Sequence, residues 1–144
     1  MDPADRPVVY VEDNPDHAEL FLRCWRNHGN PTPVVHLEDG ASALAYLDRA
    51  ERSEVRRPRL VVLDLRMPKV DGLEVLTRYK TSERIGDVPV VILSTSANEN
   101  DVARCYAAQA NSYVVKPQDH HQLDALVHDL GAWWCTWNVP ALRP

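Results

Sequence analysis

Five short apolar runs, rich in β-branched residues, recur along the chain, and each is followed by a longer segment in which apolar residues have helical spacing. The runs cover residues 8–11, 33–37, 60–64, 89–93 and 113–115. Strict alternation of strands and helices is typical of βαβ units. The pattern therefore predicts an α/β fold of the (βα)5 type, a doubly wound five-stranded parallel sheet with helices on both faces.

The helical segments have recognisable starts and ends. Asn14 and Pro15 offer a cap and a favourable first-turn proline for the first helix, and Gly29 to Pro31 ends it. Between them, apolar and aromatic side chains recur at Leu20, Phe21, Cys24, Trp25 and His28. The further helices are predicted near residues 41–52, 72–82, 99–109 and 119–132.

Polar side chains that can bind a ligand or take part in a reaction stand where four of the predicted strands end. Glu12 and Asp13 follow the first, Asp64 ends the third, Ser94 follows the fourth, and Lys116 follows the fifth. Each alone reads as an ordinary cap or solvated loop residue. Since the carboxyl ends of parallel strands share one edge, where such folds bind ligands, the coincidence predicts a single site.

Two carboxylates at such an edge need a counter-charge. At a separation of about 4 Å, Asp13 and Asp64 would repel each other by about 4 kcal/mol at an effective dielectric near 20. Mg²⁺ suits carboxylate oxygens, and no His/Cys cluster at ligand spacing argues for zinc. With Mg²⁺, Asp64 is expected to act as a nucleophile toward a phosphoryl group whose oxygens Lys116 and Ser94 contact.

Composition narrows the class. The 144 residues suit one domain, and the net charge of −5 with no basic block longer than 56–59 argues against nucleic-acid binding. No apolar stretch reaches the length of a membrane span, and the N-terminus lacks the features of a signal peptide, so a cytoplasmic protein with no membrane association is expected. The three cysteines, too widely spaced for a CxxC pair, predict reduced thiols.

The ordered motifs resemble those of the response-regulator receiver domain of bacterial two-component systems, which has a flavodoxin-like, CheY-like fold. The resemblance runs from Val8 to about Gly131. It implies that Asp64, in the setting Leu-Asp-Leu-Arg-Met-Pro, is the phospho-acceptor. It further implies metal ligation by Glu12, Asp13, Asp64 and the backbone carbonyl of Arg66, and catalytic roles for Ser94 and Lys116.

The same resemblance implies a switch made of Ser94 and Tyr113, although Tyr113 also reads as an ordinary strand aromatic. Thr95 is the alternative hydroxyl. Ser94 is favoured because residues 89–93 fill the strand and leave it as the first exposed position. Such receivers usually hold the Lys116–Pro117 bond in cis.

Two further positions, Arg66 and Ser96, follow Asp64 and Ser94 by two residues and flank the expected path of the hydrolytic water. We hypothesise that the Arg66 cation pairs with the phosphate and slows its loss.

The chain is expected to divide into a receiver domain, 1–132, and a Trp-rich C-terminal extension, 133–144, with no separate output domain. Trp133, Trp134 and Trp137 crowd into that extension. They read either as a lid on the core or as an interface, since Trp is enriched at interaction hot spots. The extension, with 12–16 and 109–113, resembles the small receivers that partner bacterial phytochromes and form homodimers through this region.

This resemblance implies a phosphohistidine donor on a sensor histidine kinase of the phytochrome type. The receiver would catalyse only its own phosphorylation and dephosphorylation and would signal through the face formed by the fourth helix, fifth strand and fifth helix. Two alternatives remain. An interaction module with a decayed site would act through the Trp cluster alone. A haloacid-dehalogenase-like phosphatase would need a second aspartate where Arg66 stands.

Overall fold

A five-stranded parallel sheet with helices on both faces forms the protein, as the sequence predicts. The computed structural model describes residues 5–141. The strand order is β2-β1-β3-β4-β5. The strands are β1 (Val8–Val11), β2 (Val34–Leu37), β3 (Leu60–Leu63), β4 (Val90–Ser94) and β5 (Ser112–Val115).

Five α-helices alternate with the strands, and a short π-helical turn follows the last of them. They are α1 (Pro15–Asn27), α2 (Gly40–Glu51), α3 (Gly72–Lys80), α4 (Glu99–Ala107), α5 (His120–Ala132) and the π-helical turn Trp133–Trp137. The predicted ends differ by a few residues, chiefly because β4 extends to include Ser94 and because α3 and α4 end two residues earlier than expected.

Each α-helix begins with an Asn or Asp whose side chain accepts backbone N–H groups of the first turn. For α1 this is Asn14, which accepts from Asp16 and His17. The caps of the following helices are Asp39, Asp71, Asn98 and Asp119. Because several of these caps lie shortly after a strand end, they keep the loops at the carboxyl edge of the sheet short.

Alternation along the buried strands divides the core into two layers. On β1, Val8 and Tyr10 face α1 and α5, where Phe21 and Trp25 pack. The intervening strand residues face α2, α3 and α4, and the buried side chains on that side include Val9, Val11, Leu63, Leu76, Tyr79 and Cys105. Burial on both faces explains why the strands read as continuous apolar runs.

Gly72 lets α3 begin directly against the chain that leaves β3. A Cβ on Gly72 would lie 2.4 Å from the Asp64 carbonyl oxygen, closer than real contacts allow. The Gly72 N–H donates to the Leu65 carbonyl at 2.9 Å. The glycine thus holds the segment after Asp64 tightly against the first turn of α3.

The C-terminal segment folds back onto the domain but leaves part of its apolar surface in solvent. Trp134 is half-buried against the α1/α5 core, whereas Trp133 and Trp137 are 58% and 73% exposed. Arg59 holds the segment by donating from Nε to the Trp134 carbonyl at 3.0 Å. The lid reading thus fits Trp134, and the interface reading stays open for the other two. Residues 1–4 and 142–144 of the predicted domain and extension lie outside the described range, so those boundaries remain predictions.

The three cysteines, Cys24, Cys105 and Cys135, are free thiols. Across residues 5–141, no helix combines the length and hydrophobicity that a bilayer-crossing segment requires.

Candidate functional site

The predicted acidic residues meet at the carboxyl edge of the sheet. Glu12 and Asp64 leave the neighbouring strands β1 and β3, and the Asp64 N–H continues the strand ladder by donating to Val11 at 3.0 Å. One carboxylate oxygen from each of Glu12, Asp13 and Asp64 lies within 4.8 Å of the other two. Glu12 and Asp64 are buried, and Asp13 is more exposed.

Lys116, the predicted amine, reaches across this acidic cluster from the end of β5. Its Nζ donates to Glu12 Oε1 at 2.8 Å and to Asp64 Oδ2 at 3.4 Å. Its backbone N–H donates to the Ser94 carbonyl at 2.7 Å, which fixes its position relative to β4. One buried cation therefore offsets part of the charge of three carboxylates.

Glu12 is the most deeply buried carboxylate of the cluster. Its Oε2 is buried without a hydrogen-bond partner among residues 5–141. Burial raises the pKa of Glu12 to about 8, the nearby Asp64 carboxylate adds to the rise, and Lys116 opposes it. An unpaired, buried carboxylate oxygen beside two further carboxylates fits the oxygen-rich donor set that Mg²⁺ or Mn²⁺ takes.

His17 joins the site, which the sequence did not indicate. Its Nδ1 lies 3.0 Å from Glu12 Oε1 and 3.3 Å from Lys116 Nζ. In the sequence His17 is one more polar residue of the first predicted helix, with no pattern that links it to Glu12. The available signal was the Asn14 cap, because a helix that starts there brings its first turn next to Glu12.

Ser94 lies at the same edge of the sheet but in a different environment from the one predicted. It is the last residue of β4, pairs with Val115, and is fully buried. The expectation that Ser94 is the first exposed position is therefore wrong, because β4 runs one residue further than the apolar run. Thr95 is the exposed neighbour and lines a cavity of about 260 Å³ with Lys116.

Tyr113 contacts the loop that follows Ser94. Its hydroxyl donates to the Ser96 carbonyl at 2.8 Å, and the Ser96 N–H donates to Ser94 Oγ at 3.2 Å. The ring is half-buried against the α2–α4 side of the core. The two predicted switch residues are thus linked through Ser96.

Arg66 is held at both ends. Its backbone N–H donates to Asp64 Oδ1 at 3.2 Å, and its guanidinium pairs with the Asp101 carboxylate on α4. Ser96 Oγ donates to the same carboxylate at 2.6 Å. Asp101 is a site neighbour that the sequence did not reveal, because an acid in a first helical turn is common.

The expectation of a cis Lys116–Pro117 bond is not met. Throughout residues 5–141 every peptide bond is trans. The backbone hydrogen bond from Lys116 to Ser94 forms with this trans arrangement.

Comparison with known proteins decides the family. The profile of the response regulator receiver domain matches residues 8–128, which is most of the chain. The chain belongs to the response regulator receiver family. This places it among signalling modules rather than among conventional enzymes such as the haloacid-dehalogenase-like phosphatases.

Two curated relatives match this receiver over most of their lengths. It is 42% identical over 131 residues to the probable methanogenesis regulatory protein FilR2 of Methanothrix harundinacea, covering 91% of this chain and 84% of FilR2. It is 33% identical over 136 residues to the response regulator Rcp1 of Synechocystis, covering 93% of this chain and 92% of Rcp1.

Solved structures of other response regulators share the fold of this receiver. The phosphorylated cyanobacterial phytochrome response regulator RcpA superposes with a TM-score of 0.89 at 35% identity, over 96% of this receiver and all of RcpA. The Mn²⁺-bound form of Rcp1 superposes with a TM-score of 0.87 at 30% identity, over 95% of this receiver and 99% of Rcp1. The receiver is therefore related to phytochrome response regulators, one of which binds a divalent cation.

Proposed function

We propose that this receiver accepts a phosphoryl group from the phosphohistidine of a sensor histidine kinase onto Asp64. The observation that carries the proposal is the convergence of the Glu12, Asp13 and Asp64 carboxylates within 4.8 Å, with the Lys116 ammonium bonded to two of them. Related receivers include a phosphorylated one and a Mn²⁺-bound one.

Asp64 is the nucleophile in this proposal because hydrogen bonds from its neighbours orient its carboxylate. A carboxylate oxygen attacks phosphorus, the phosphorus–nitrogen bond of the donor breaks, and the donor imidazole leaves with the bond electrons and takes up a proton. The product is an aspartyl phosphate. The Arg66 N–H on Oδ1 and Lys116 near Oδ2 fix the carboxylate orientation before the phosphoryl group arrives.

Lys116 then has a new partner. In the structure its Nζ is closer to Glu12 than to Asp64. A phosphoryl group on Asp64 places oxygens with a charge near −2 beside this ammonium, so Lys116 moves its hydrogen bond from Glu12 to a phosphoryl oxygen.

Glu12, Asp13, Asp64 and the Arg66 carbonyl would hold Mg²⁺ in this proposal. When bound, the ion supplies neutralisation of the phosphoryl oxygens and of the acidic cluster. The buried Oε2 of Glu12 is the oxygen most in need of such a partner. Glu12 has to lose its proton to become a ligand, which couples its deprotonation to metal binding.

The signal would leave the site through Ser94 and Tyr113. When the Ser94 hydroxyl turns to donate to a phosphoryl oxygen, its Oγ moves away from the Ser96 N–H. The Ser96 N–H then loses the acceptor that it has in this structure. Tyr113 hydrogen-bonds the carbonyl of the same residue, so the ring follows when this loop shifts. The result is a two-state element next to α4 and β5, biased by one charge event.

The partners follow from the relatives and from the C-terminal segment. We propose a phytochrome-type histidine kinase as the donor, because solved structures similar to this receiver include phytochrome response regulators. We also propose a homodimer that covers Trp133, Trp137 and Val139, since these side chains are exposed and apolar.

A phosphate-affinity gel tests the function directly. Incubation with Mg²⁺ and acetyl phosphate should shift the wild-type band, and Asp64→Asn should abolish the shift. Asp48→Asn on α2 is the matched control, because it removes an exposed acid away from the strand ends, and it should shift like wild type. An unshifted wild-type band would instead support an unphosphorylated interaction module that acts through the Trp cluster.

The donor class has its own test. Transfer of radiolabelled phosphate from a purified bilin-loaded phytochrome kinase to this receiver should differ between red-illuminated and dark samples. Transfer that is the same in light and dark, with acetyl phosphate still effective, would reject the light pathway and leave the receiver function standing.

A further inference from the structure

Asp101 lies at the centre of a small network beside the acceptor. Its Oδ2 accepts from the Arg66 guanidinium and from Ser96 Oγ, so one carboxylate on α4 ties together the two residues that follow Asp64 and Ser94 by two positions. Its side chain is 12% exposed, whereas that of Arg66 is 65% exposed. Asp101 is therefore the more buried member of the pair, and Arg66 reaches it from solvent.

Arg66 is a long, largely exposed cation whose backbone lies beside the Asp64 carboxylate. Its backbone N–H bonds Asp64 Oδ1, yet its guanidinium lies on Asp101. The bonds from Ser96 and Arg66 hold the pKa of Asp101 below its usual range, which keeps the carboxylate charged. A cavity of about 410 Å³ between the loop and α4 borders Arg66 and Asp101 and leaves the guanidinium room to move.

We infer that Asp101 is a positioning residue that sets the lifetime of the phosphoryl group by competing with it for the Arg66 guanidinium. The inference rests on the proposed function. In hydrolysis, water attacks phosphorus, the bond from phosphorus to the Asp64 oxygen breaks, and its electrons return to the carboxylate as inorganic phosphate leaves. A guanidinium paired with the phosphoryl oxygens obstructs the approach of water, and Asp101 keeps the guanidinium away.

Loss of the Asp101 charge should be enough to shift the Arg66 guanidinium from Asp101 to the phosphoryl group. The Arg66–Asp101 pair is partly exposed, and such pairs contribute about 0.2 to 1 kcal/mol. The upper part of this range, from about 0.4 to 1 kcal/mol, changes a rate by about two- to fivefold. Removing the Asp101 charge should release Arg66 to the phosphoryl group and slow hydrolysis by that factor.

Asp101→Asn is the test, since the amide oxygen still accepts from Ser96 while the ion pair with Arg66 is lost. Each variant is phosphorylated with acetyl phosphate and Mg²⁺, desalted, and followed on a phosphate-affinity gel. Asp101→Asn should lose phosphate about two- to fivefold more slowly than wild type. Glu99→Gln, which removes another acid from the same first turn of α4, should match wild type. Asp101→Glu should restore a lifetime near that of wild type.

A double-mutant cycle separates positioning from a structural effect. In an Arg66→Met background, Asp101→Asn should no longer change the lifetime, because the cation that it releases is absent. The slowing in the single variant should also shrink at high salt, since the released guanidinium is exposed. Asp101→Ser, also tested in both backgrounds, guards against failure of the Asn variant to fold.

Three results overturn the inference. Asp101→Asn and Asp101→Ser that lose phosphate at the wild-type rate or faster contradict it while leaving the proposed function intact. An effect of equal size with and without Arg66 assigns Asp101 a structural role instead. A wild-type chain that takes up no phosphate removes the proposed function and the inference together.

Discussion

The Lys116 ammonium lies 2.8 Å from the Glu12 carboxylate and 3.4 Å from that of Asp64. In this state the site is therefore organised around the buried Lys116–Glu12 pair, and Asp64, the proposed phospho-acceptor, is the second partner of Lys116. Because Glu12 is fully buried and keeps one unpaired oxygen, the stability of the domain and the readiness of the site depend on the same few charges.

Lys116→Met should destabilise the metal-free protein by about 3 kcal/mol at pH 8.5, because breaking a buried ion pair leaves its partner uncompensated. The loss should be smaller at pH 6, where Glu12 can take up a proton instead. Urea unfolding at both pH values, in the presence of EDTA, measures the difference. Lys69→Met, a change at an exposed position, is the control, and equal losses in the two variants would contradict the ion-pair argument.

The Glu12 carboxyl should make the metal-free fold less stable as pH rises. Its pKa is about 8 in the folded protein against 4.5 in the unfolded chain, so the folded state holds the proton more tightly. Its contribution is complete below pH 4.5 and is lost as pH rises through about 8. Glu12→Gln should remove this dependence, and its stability relative to wild type should increase over that range by on the order of a few kcal/mol. If urea unfolding gave wild type and Glu12→Gln the same dependence of stability on pH, the result would contradict the role of the Glu12 proton.

Magnesium should stabilise the fold through the acidic cluster. At a concentration one hundred times its dissociation constant, a ligand of the folded state adds about 2.7 kcal/mol. The melting temperature of wild type should therefore rise with millimolar Mg²⁺, and that of Asp13→Asn should rise much less. Asp48→Asn should respond as wild type does. A wild-type melting temperature that does not change with Mg²⁺ would contradict a Mg²⁺ site at this acidic cluster.

The three C-terminal tryptophans should separate into two functional groups. Trp133→Ser and Trp137→Ser should weaken self-association without loss of monomer stability, because both side chains are largely exposed. Trp134→Ala should instead lower the free energy of unfolding by about 1 to 3 kcal/mol, because its ring packs on the core. Sedimentation velocity and urea unfolding measure the two effects. A monomeric wild type at all concentrations would reject the dimer.

Gly72→Ala should damage the site through the backbone. The added methyl meets the Asp64 carbonyl and the Leu65 Cα, so the loop after β3 must move, at a cost of about 1 to 3 kcal/mol. Phosphorylation by acetyl phosphate should slow. Gly29→Ala is the matched control: its φ of +68° costs about 1 kcal/mol, but it has open space and lies away from the strand ends. Equal phosphorylation rates in the two variants would contradict the role of Gly72.

Most of the fold was predictable because buried parallel strands leave a strong local signal. The runs around Val61 and Val91 are apolar on both faces, and the predicted cap Asn14 stands where the first helix starts. The boundaries were less predictable. Ser94 continues β4 because Val115 pairs with it, and that pairing is not visible in the residue itself.

The position of a side chain in the chain and its partner in space are separate properties. The sequence by itself determined that acids, a hydroxyl and an amine stand at strand ends, and parallel strands bring such ends to one edge for geometric reasons. Only the tertiary structure decided that His17 and Lys116 share Glu12, that Asp101 holds Arg66, and that Trp134 packs inward while its neighbours face solvent. These pairings join residues from different elements, whose approach depends on how helices pack on the sheet, and helix packing is set by the whole core rather than by any local pattern.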